Sequence, residues 1–437
     1  MNNLFGTDGI RTTVGKEPLT VAALTKCGSA IGQWAIKKYG TNPQILISHD
    51  TRSSAYWIMA ALQAGLLLYP ITVHYADVMP TPCVCKLLQL KKFNAGIVIS
   101  ASHNAAPDNG LKIIDGITGK LTIQEELEIS SYYYQHSAHT YHNFGTIKPY
   151  TNGTQDYTDD IISRFPPKFL SNLKIVLDCA QGATYQIAPS LFTQLGADII
   201  PINNKPNGIN INDSCGTLHM RGLQNAVIEH NADIGFAFDG DGDRLMIASQ
   251  QGEIKNGDDI LALLSEHPRY KNEATIVGTI MSNHGLDLFL QKKNKSLIRT
   301  DVGDKFVADY LEKNNGLLGG EQSGHIILHD YLQTGDGIVT ALRVLEQIIN
   351  TGDWSLQTFT KFPQVLINVP IAKKKDLSNP IIAQLIADHR AQLNTGRLVI
   401  RYSGTENVLR IMVEDKEEKS AHAISNNLAH ALQKELQ

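Results

Sequence analysis

The sequence predicts an α/β protein of several domains: three similar α/β units, then a small C-terminal α+β unit. Three observations lead there. At 437 residues the chain exceeds what one core can organise. Through most of its length short apolar runs alternate with helical spacing, the pattern of a mostly parallel sheet covered by helices. From about Pro370 that alternation gives way to strands and helices without βαβ order.

In the first unit, Leu19 to Tyr39 has helical apolar spacing with Thr20 as N-cap. Gln44 to Ser48 is a strand ending at His49-Asp50-Thr51-Arg52. A helix through Leu68, a strand from Ile71 to Tyr75 and a helix from Pro82 to Leu90 follow. Ile97 to Ile99 is a buried strand that delivers Ser100-Ala101-Ser102-His103-Asn104 as a loop, with Asp108, Asn109 and Lys112 beyond it. Thr122 to Gln135 closes the unit as a helix. The second unit has strands from Lys174 to Asp178, Asp198 to Ile202 and Ile234 to Phe238, with helices from Ala183 to Leu195 and Leu223 to His230. The third has a helix after Asp258, a strand from Thr275 to Ile280, a helix from Gly285, a strand from Leu297 to Thr300, and an apolar segment ending at Glu321. Each unit carries polar residues off the end of a strand, so the repeat is topological rather than a short sequence period. The last unit has a helix from Asp376 to Leu393, strands from Arg397 to Arg401 and Val408 to Val413, and a helix from Lys416 to Leu436. The expected domains are 1–150, 151–255, 256–368 and 369–437.

Composition narrows the class. A net charge of -4 with no basic run argues against nucleic acid as a partner. The N-terminus lacks the basic start and apolar core of a signal peptide, and apolar segments such as Ala60 to Leu68 are too short to span a membrane. Five scattered cysteines read as reduced thiols, so a cytoplasmic protein is expected.

Four stretches carry chemistry. Ser102 follows a strand end and has His103 and Lys112 nearby, candidates for activating a hydroxyl that is otherwise a poor nucleophile. Asp239-Gly240-Asp241-Gly242-Asp243-Arg244 sets three carboxylates at alternate positions with glycines that let the segment curl. Three converging carboxylates repel, and a hard divalent metal, Mg²⁺ by default, resolves that. Glu321 and Ser323, in Gly320-Glu321-Gln322-Ser323-Gly324-His325, suit vicinal sugar hydroxyls, although a structural turn reads equally well. Arg401, Ser403, Gly404 and Thr405, with Arg410 beyond, form a phosphate cradle of guanidinium forks, hydroxyls and a glycine-freed backbone. Phe5-Gly6-Thr7-Asp8-Gly9-Ile10-Arg11 by itself reads as an N-terminal turn.

Together with Val302-Gly303-Asp304-Lys305, these motifs resemble those of the α-D-phosphohexomutase superfamily, most closely its bacterial phosphoglucosamine mutase family, in order and over essentially the whole chain. The resemblance implies four domains with mixed sheets around a central cleft. It also implies a phosphoserine at Ser102 that ligates the metal with Asp239, Asp241 and Asp243. Arg11, His103, Lys112 and Arg244 would line the reacting phosphoryl group, with Lys112 and His103 unranked as proton-transfer groups. Glu321 and Ser323 would hold sugar hydroxyls, and the Arg401 loop the distal phosphate. The implied reaction interconverts glucosamine 6-phosphate and glucosamine 1-phosphate through glucosamine 1,6-bisphosphate, feeding UDP-N-acetylglucosamine and cell-wall precursors. A phosphomannomutase or phosphoglucomutase is the alternative, and a silent phosphosugar-binding protein a further one. Gln322, where hexose enzymes more often resemble Glu-Met-Ser-Gly, points towards the amino sugar. The implied partner is a small hexosamine phosphate, an activating kinase is a further candidate, and the chain is expected to be a monomer or homodimer. Departures such as Ala105, Thr12, Tyr402 and Asn407, where the family has proline or glycine, bear on loop rigidity more than on charge placement.

Overall fold

The computed structural model describes residues 3–6, 9–135, 143–393, 395–403 and 407–436. Among these residues the chain forms four sheets. The first runs Ile10–Thr13, Asp108–Asp115, Ala95–Ile99, Gln44–His49, Thr72–Val78, Thr146–Pro149, with Gly119–Lys120 paired to Asp108–Asp115. The second runs Ile254–Lys255, Leu245–Ser249, Ile234–Phe238, Lys174–Asp178, Asp198–Ile202, and the third Ser296–Thr300, Thr275–Thr279, Leu318–Gly320, Ile326–Leu328. The fourth is the antiparallel set Gln364–Pro370, Val408–Glu414, Arg397–Tyr402.

One arrangement recurs in the first three sheets. A strand paired in parallel with its inner neighbour ends, and the chain turns back as an antiparallel strand on its other side. Ala95–Ile99 turns into Asp108–Asp115, Ile234–Phe238 into Leu245–Ser249, and Leu318–Gly320 into Ile326–Leu328. The loops carrying Ser102, the three aspartates and Glu321 are these three connections. The chain thus has three similar mixed-sheet α/β domains and a small C-terminal α+β domain.

Several local expectations change. Asp108–Asp115 is a strand, so Lys112 projects from a sheet rather than a loop. Its polar start reads as a turn, yet antiparallel partners on both sides override local propensity. Those partners also make Ile10–Thr13 a strand. The helix expected from Asp376 starts at Pro380, because the Asn379 side chain caps the Ile381 N–H and proline suits the first helical position. Helices Gly153–Ile162, Asp304–Asn314 and Gly337–Thr351 and strand Gln364–Pro370 add to the expected set. Thr20 caps Val21–Tyr39 as expected, and Thr122 forms a reciprocal capping box with Glu125.

The packing separates the last domain from the rest. One apolar cluster runs from Leu46, Val84 and Leu87 through Phe192 and Phe236 to Ile260 and Leu342, joining the first three sheets. The fourth sheet has its own core of Val369, Leu409, Ile411, Leu428 and Leu432. Helix Glu418–Leu436 covers it, burying Ala421, Ile424, Leu428, Leu432 and Leu436 at three- and four-residue intervals. Each large aliphatic there contributes about 1.5–3 kcal/mol. No described helix is long and apolar enough to cross a membrane.

Candidate active site

Ser102 stands three residues beyond Ala95–Ile99, is 1% exposed and has a φ of 50°. A non-glycine residue in this left-handed region is held there by its surroundings. Arg52, fully buried, supplies most of that hold. Its Nε donates to Asp50 Oδ2 (2.9 Å), Nη1 to the carbonyls of Ala105 (2.6 Å) and Asp108 (3.0 Å), and Nη2 to those of Ser102 (3.1 Å) and Asn104 (2.8 Å). All five guanidinium N–H groups are thereby used. Asn212, from the second domain, donates to the Ser102 and Asn104 carbonyls at 2.8 and 2.9 Å. Ser100 completes the frame, its Oγ donating to Asp50 Oδ2 (2.6 Å) and accepting from the Ser102 N–H (2.9 Å).

The frame aims Ser102 Oγ at the aspartates. It donates to Asp239 Oδ2 at 2.7 Å and lies 3.5 Å from His103 Nδ1. The aspartate segment is a tight turn, with the Gly242 N–H donating to the Asp239 carbonyl (3.1 Å) and Gly242 at φ 74°. That curl brings one carboxylate oxygen from each of Asp239, Asp241 and Asp243 within 4.8 Å of the others, all buried. Lys112 Nζ donates to Asp241 Oδ2 (2.7 Å) and Asp243 Oδ2 (2.8 Å), and Thr81 Oγ1 to Asp241 Oδ2 (2.5 Å). Asp241 Oδ1 and Asp243 Oδ1 are buried without a hydrogen-bond partner. Two orphaned carboxylate oxygens in a three-carboxylate cluster fit a hard divalent cation.

Charge is distributed unevenly. Burial, then Asp243 and Asp241, push Asp239 well above the usual carboxylate range. Burial also acts to raise Asp243, but Lys112 and His325 outweigh it and hold that group well below the range. Arg244 donates its backbone N–H to Asp239 Oδ1 (3.1 Å) and brings Nε to 4.0 Å from Asp243 Oδ1. Arg11, on Ile10–Thr13, sends Nη1 to the Ala101 carbonyl at 3.5 Å. His103 is pushed down to about 4 by burial, then by Arg244 and Arg11, so it is neutral near pH 7. A line of charges continues outward: His325 Nδ1 is 3.6 Å from Asp243 Oδ1, its Nε2 is 3.4 Å from Asp304 Oδ2, and Asp304 pairs with Lys120.

Glu321 and Ser323 occupy the third connection. Glu321 Oε1 accepts the Gly303 N–H (3.0 Å), and Ser323 is exposed. Gly324, at φ 92°, accepts the Leu245 N–H at its carbonyl oxygen (3.0 Å); a Cβ there would lie 2.2 Å from the Leu245 carbonyl oxygen. The Glu321 loop is thus seated on the strand that follows the aspartates. Gln322 turns the other way. Its Nε2 donates to Gln364 Oε1 (3.0 Å) and Asp258 Oδ2 (3.4 Å), so the amide faces the join with the last domain. In the last domain Arg401 and Arg410 are direct cross-strand partners, and Ser403 is buried at the strand end. Like charges placed opposite each other destabilise a sheet unless an anion lies between them. Gly404 and Thr405 lie outside the described residues.

Domain families described as phosphoglucomutase/phosphomannomutase match the chain at residues 2–139 (domain I), 155–252 (domain II), 256–364 (domain III) and 366–431 (C-terminal domain). A phosphoglucosamine mutase of Acinetobacter baylyi is 42% identical over 437 residues, covering 98% of each chain. The chain belongs to the phosphoglucomutase/phosphomannomutase family. Solved structures agree on the fold. A family protein of Burkholderia thailandensis superposes with a TM-score of 0.82 at 23% identity, covering 99% of this chain and 97% of that one. The Aspergillus fumigatus N-acetylphosphoglucosamine mutase, solved with GlcNAc-6P and magnesium, gives 0.67 at 16% identity, covering 99% and 96%. This family member is therefore an enzyme of the phosphohexomutase kind. Sequence reasoning assigned no role to Arg52, Asp50, Asn212, Thr81 or His325. His325 stood inside a recognised motif and Arg52 at a strand end, but only the fold reveals what each touches.

Proposed function

We propose that this phosphohexomutase is a phosphoglucosamine mutase, interconverting glucosamine 6-phosphate and glucosamine 1-phosphate through phosphoserine 102 and a bound glucosamine 1,6-bisphosphate. The observation that carries the reading is Ser102 Oγ held 2.7 Å from Asp239 inside the aspartate cluster, with Lys112 across it. Full-length similarity to phosphoglucosamine mutases supports the choice of sugar.

The phosphoryl group passes from Ser102 Oγ to the free sugar hydroxyl, breaking one P–O bond and forming another. The hydroxyl's proton leaves to a base, and the serine oxygen is released. The bisphosphate then turns end for end, and its other phosphoryl group returns to Ser102. Such transfers need positioning and charge neutralisation more than covalent machinery. Asp239, Asp241, Asp243 and the Ser102 oxygen would hold Mg²⁺, which supplies charge neutralisation at the transferring group. Arg11, Lys112 and Arg244 add fixed positive charge there. His103, neutral and beside Ser102 Oγ, is the proton acceptor we assign; a phosphate dianion on Ser102 raises its basicity. Glu321 and Ser323 bind sugar hydroxyls, while Arg401, Ser403, Gly404, Thr405 and Arg410 bind the phosphate that is not reacting. Five free cysteines support a reducing, cytoplasmic setting.

The test is turnover of glucosamine, glucose and mannose 6-phosphates by purified protein, each with a trace of its bisphosphate. Glucosamine 6-phosphate is expected to give the highest kcat/KM. Intact mass should show a phosphate that Ser102→Ala lacks along with its activity. An active, unphosphorylated Ser102→Ala protein overturns the mechanism.

A further inference from the structure

The last domain meets the third through a seam of hydrogen bonds. Glu414, fully buried, accepts from Arg397 Nε (2.7 Å) and the His284 N–H (2.7 Å). Arg397 Nη2 reaches the Ser282 carbonyl at 2.6 Å and Nη1 the Ile280 carbonyl at 3.3 Å. Beside it, just before the first strand of the fourth sheet, the Phe362 backbone exchanges two hydrogen bonds with Asn283 of the same domain, at 2.9 and 3.0 Å. Into this seam the sugar loop sends Gln322.

The two glutamines there form a directed chain. Gln322 Nε2 donates to Asp258 Oδ2 and Gln364 Oε1; Gln364 Nε2 donates to the Met281 carbonyl (3.1 Å) and Glu414 Oε1 (3.3 Å). All four amide hydrogens are engaged, and flipping Gln322 would set its carbonyl oxygen against the Asp258 carboxylate. Gln364 pairs with Glu414 at one end of the fourth sheet, and Arg410 lies four residues back along the same strand, towards Ser403. At about 3.3 Å per residue, the strand Val408–Glu414 spans roughly 20 Å from seam to phosphate end. A small rotation at the seam therefore becomes a larger displacement at the phosphate-binding end.

We propose that Gln322 and Gln364 are positioning residues: their hydrogen bond ties the sugar loop to the base of the last domain and sets how firmly that domain holds the distal phosphate. Gln322 acts through Gln364 and does not read the amino group of the sugar. This rests on the phosphoglucosamine mutase reading, in which one intermediate must be retained while it turns.

Gln322→Met tests it, because methionine keeps the volume, removes both donors and restores the residue that hexose enzymes favour. With the full chain, Gln322→Met and Gln364→Met are each expected to lower kcat/KM by about three- to tenfold for all three hexose 6-phosphates alike, mostly through KM. Escape of labelled bisphosphate in a single turnover should rise by a similar factor. The double variant should lose less than the product of the two single losses, since both remove the Gln322–Gln364 bond. Amide exchange at His284 and Phe362, which report the seam directly, should speed up while Ile97 to Ile99 stay unchanged. A shift of preference towards glucose or mannose in Gln322→Met, with seam exchange unaltered, overturns the proposal. Absence of wild-type turnover on glucosamine 6-phosphate counts against the reaction; unchanged seam exchange in both variants then counts separately against the tie.

Discussion

In the proposed function the serine centre and the Arg401 region both handle a phosphoryl group, and they are built in opposite ways. Around Ser102, two domains close on the loop with a buried guanidinium and an amide, over an apolar core shared by three sheets. Around Arg401, two like charges face each other across a pair of strands, in a domain with its own core and a polar seam. The first arrangement fixes atoms, as bond transfer requires: displacement of a reacting group by about 1 Å costs on the order of a hundredfold. The second leaves room for movement, as an intermediate that must turn over requires. Apolar burial joins the first three sheets, and buried hydrogen bonds join the last domain to the third.

The comparison breaks most sharply at Arg52. Arg52→Lys keeps a charge beside Asp50 but cannot reach four carbonyls, so kcat should fall at least about a hundredfold with KM little changed. Steady-state kinetics beside a thermal melt would check this, and a variant with normal kcat would mean that the loop holds itself. Arg401→Ala should act in KM instead. Loss of one charge-assisted, bidentate pair is worth roughly 1.5–3 kcal/mol, about ten- to more than a hundredfold, and equally for all three sugars. Unequal losses would move Arg401 from phosphate to sugar recognition. The third effect is on stability at the seam and leaves the rate unchanged. Burial raises Asp258 to about 6, so the folded chain holds its proton more tightly than the unfolded one. The resulting cost is absent below about pH 4, grows as pH rises to about 6, and is then constant, on the order of 2–3 kcal/mol. Asp258→Asn removes that slope, so its stability relative to the parent should rise across the same window in urea titrations. A flat difference would show that Asp258 does not titrate there.

Much of this was legible from residue order. Periodicity reveals strands such as Ile234–Phe238, because a strand buried on both faces must be continuously apolar. The aspartate turn was legible because no solvated loop needs three carboxylates between glycines. What stayed hidden depends on partners distant in the chain. Asp108-Asn109-Gly110 looks like a turn until strands on either side hold it extended. Arg52 looks like a surface arginine until the carbonyls 50 to 56 residues later fold over it. Gln322 differs again: its motif is visible in the sequence, but which way an amide faces within a loop is set by the neighbouring domain, and no spacing encodes that.

The depth of Ser102 bears on how the enzyme first becomes charged. In this conformation the serine is 1% exposed, and the carbonyls of Ser102 and Asn104 are already bonded to Arg52 and Asn212. An enzyme that grips its target as an extended peptide finds no free segment here. On the proposed reading, a donor small enough to slip between the domains, such as a sugar bisphosphate, suits a serine at this depth.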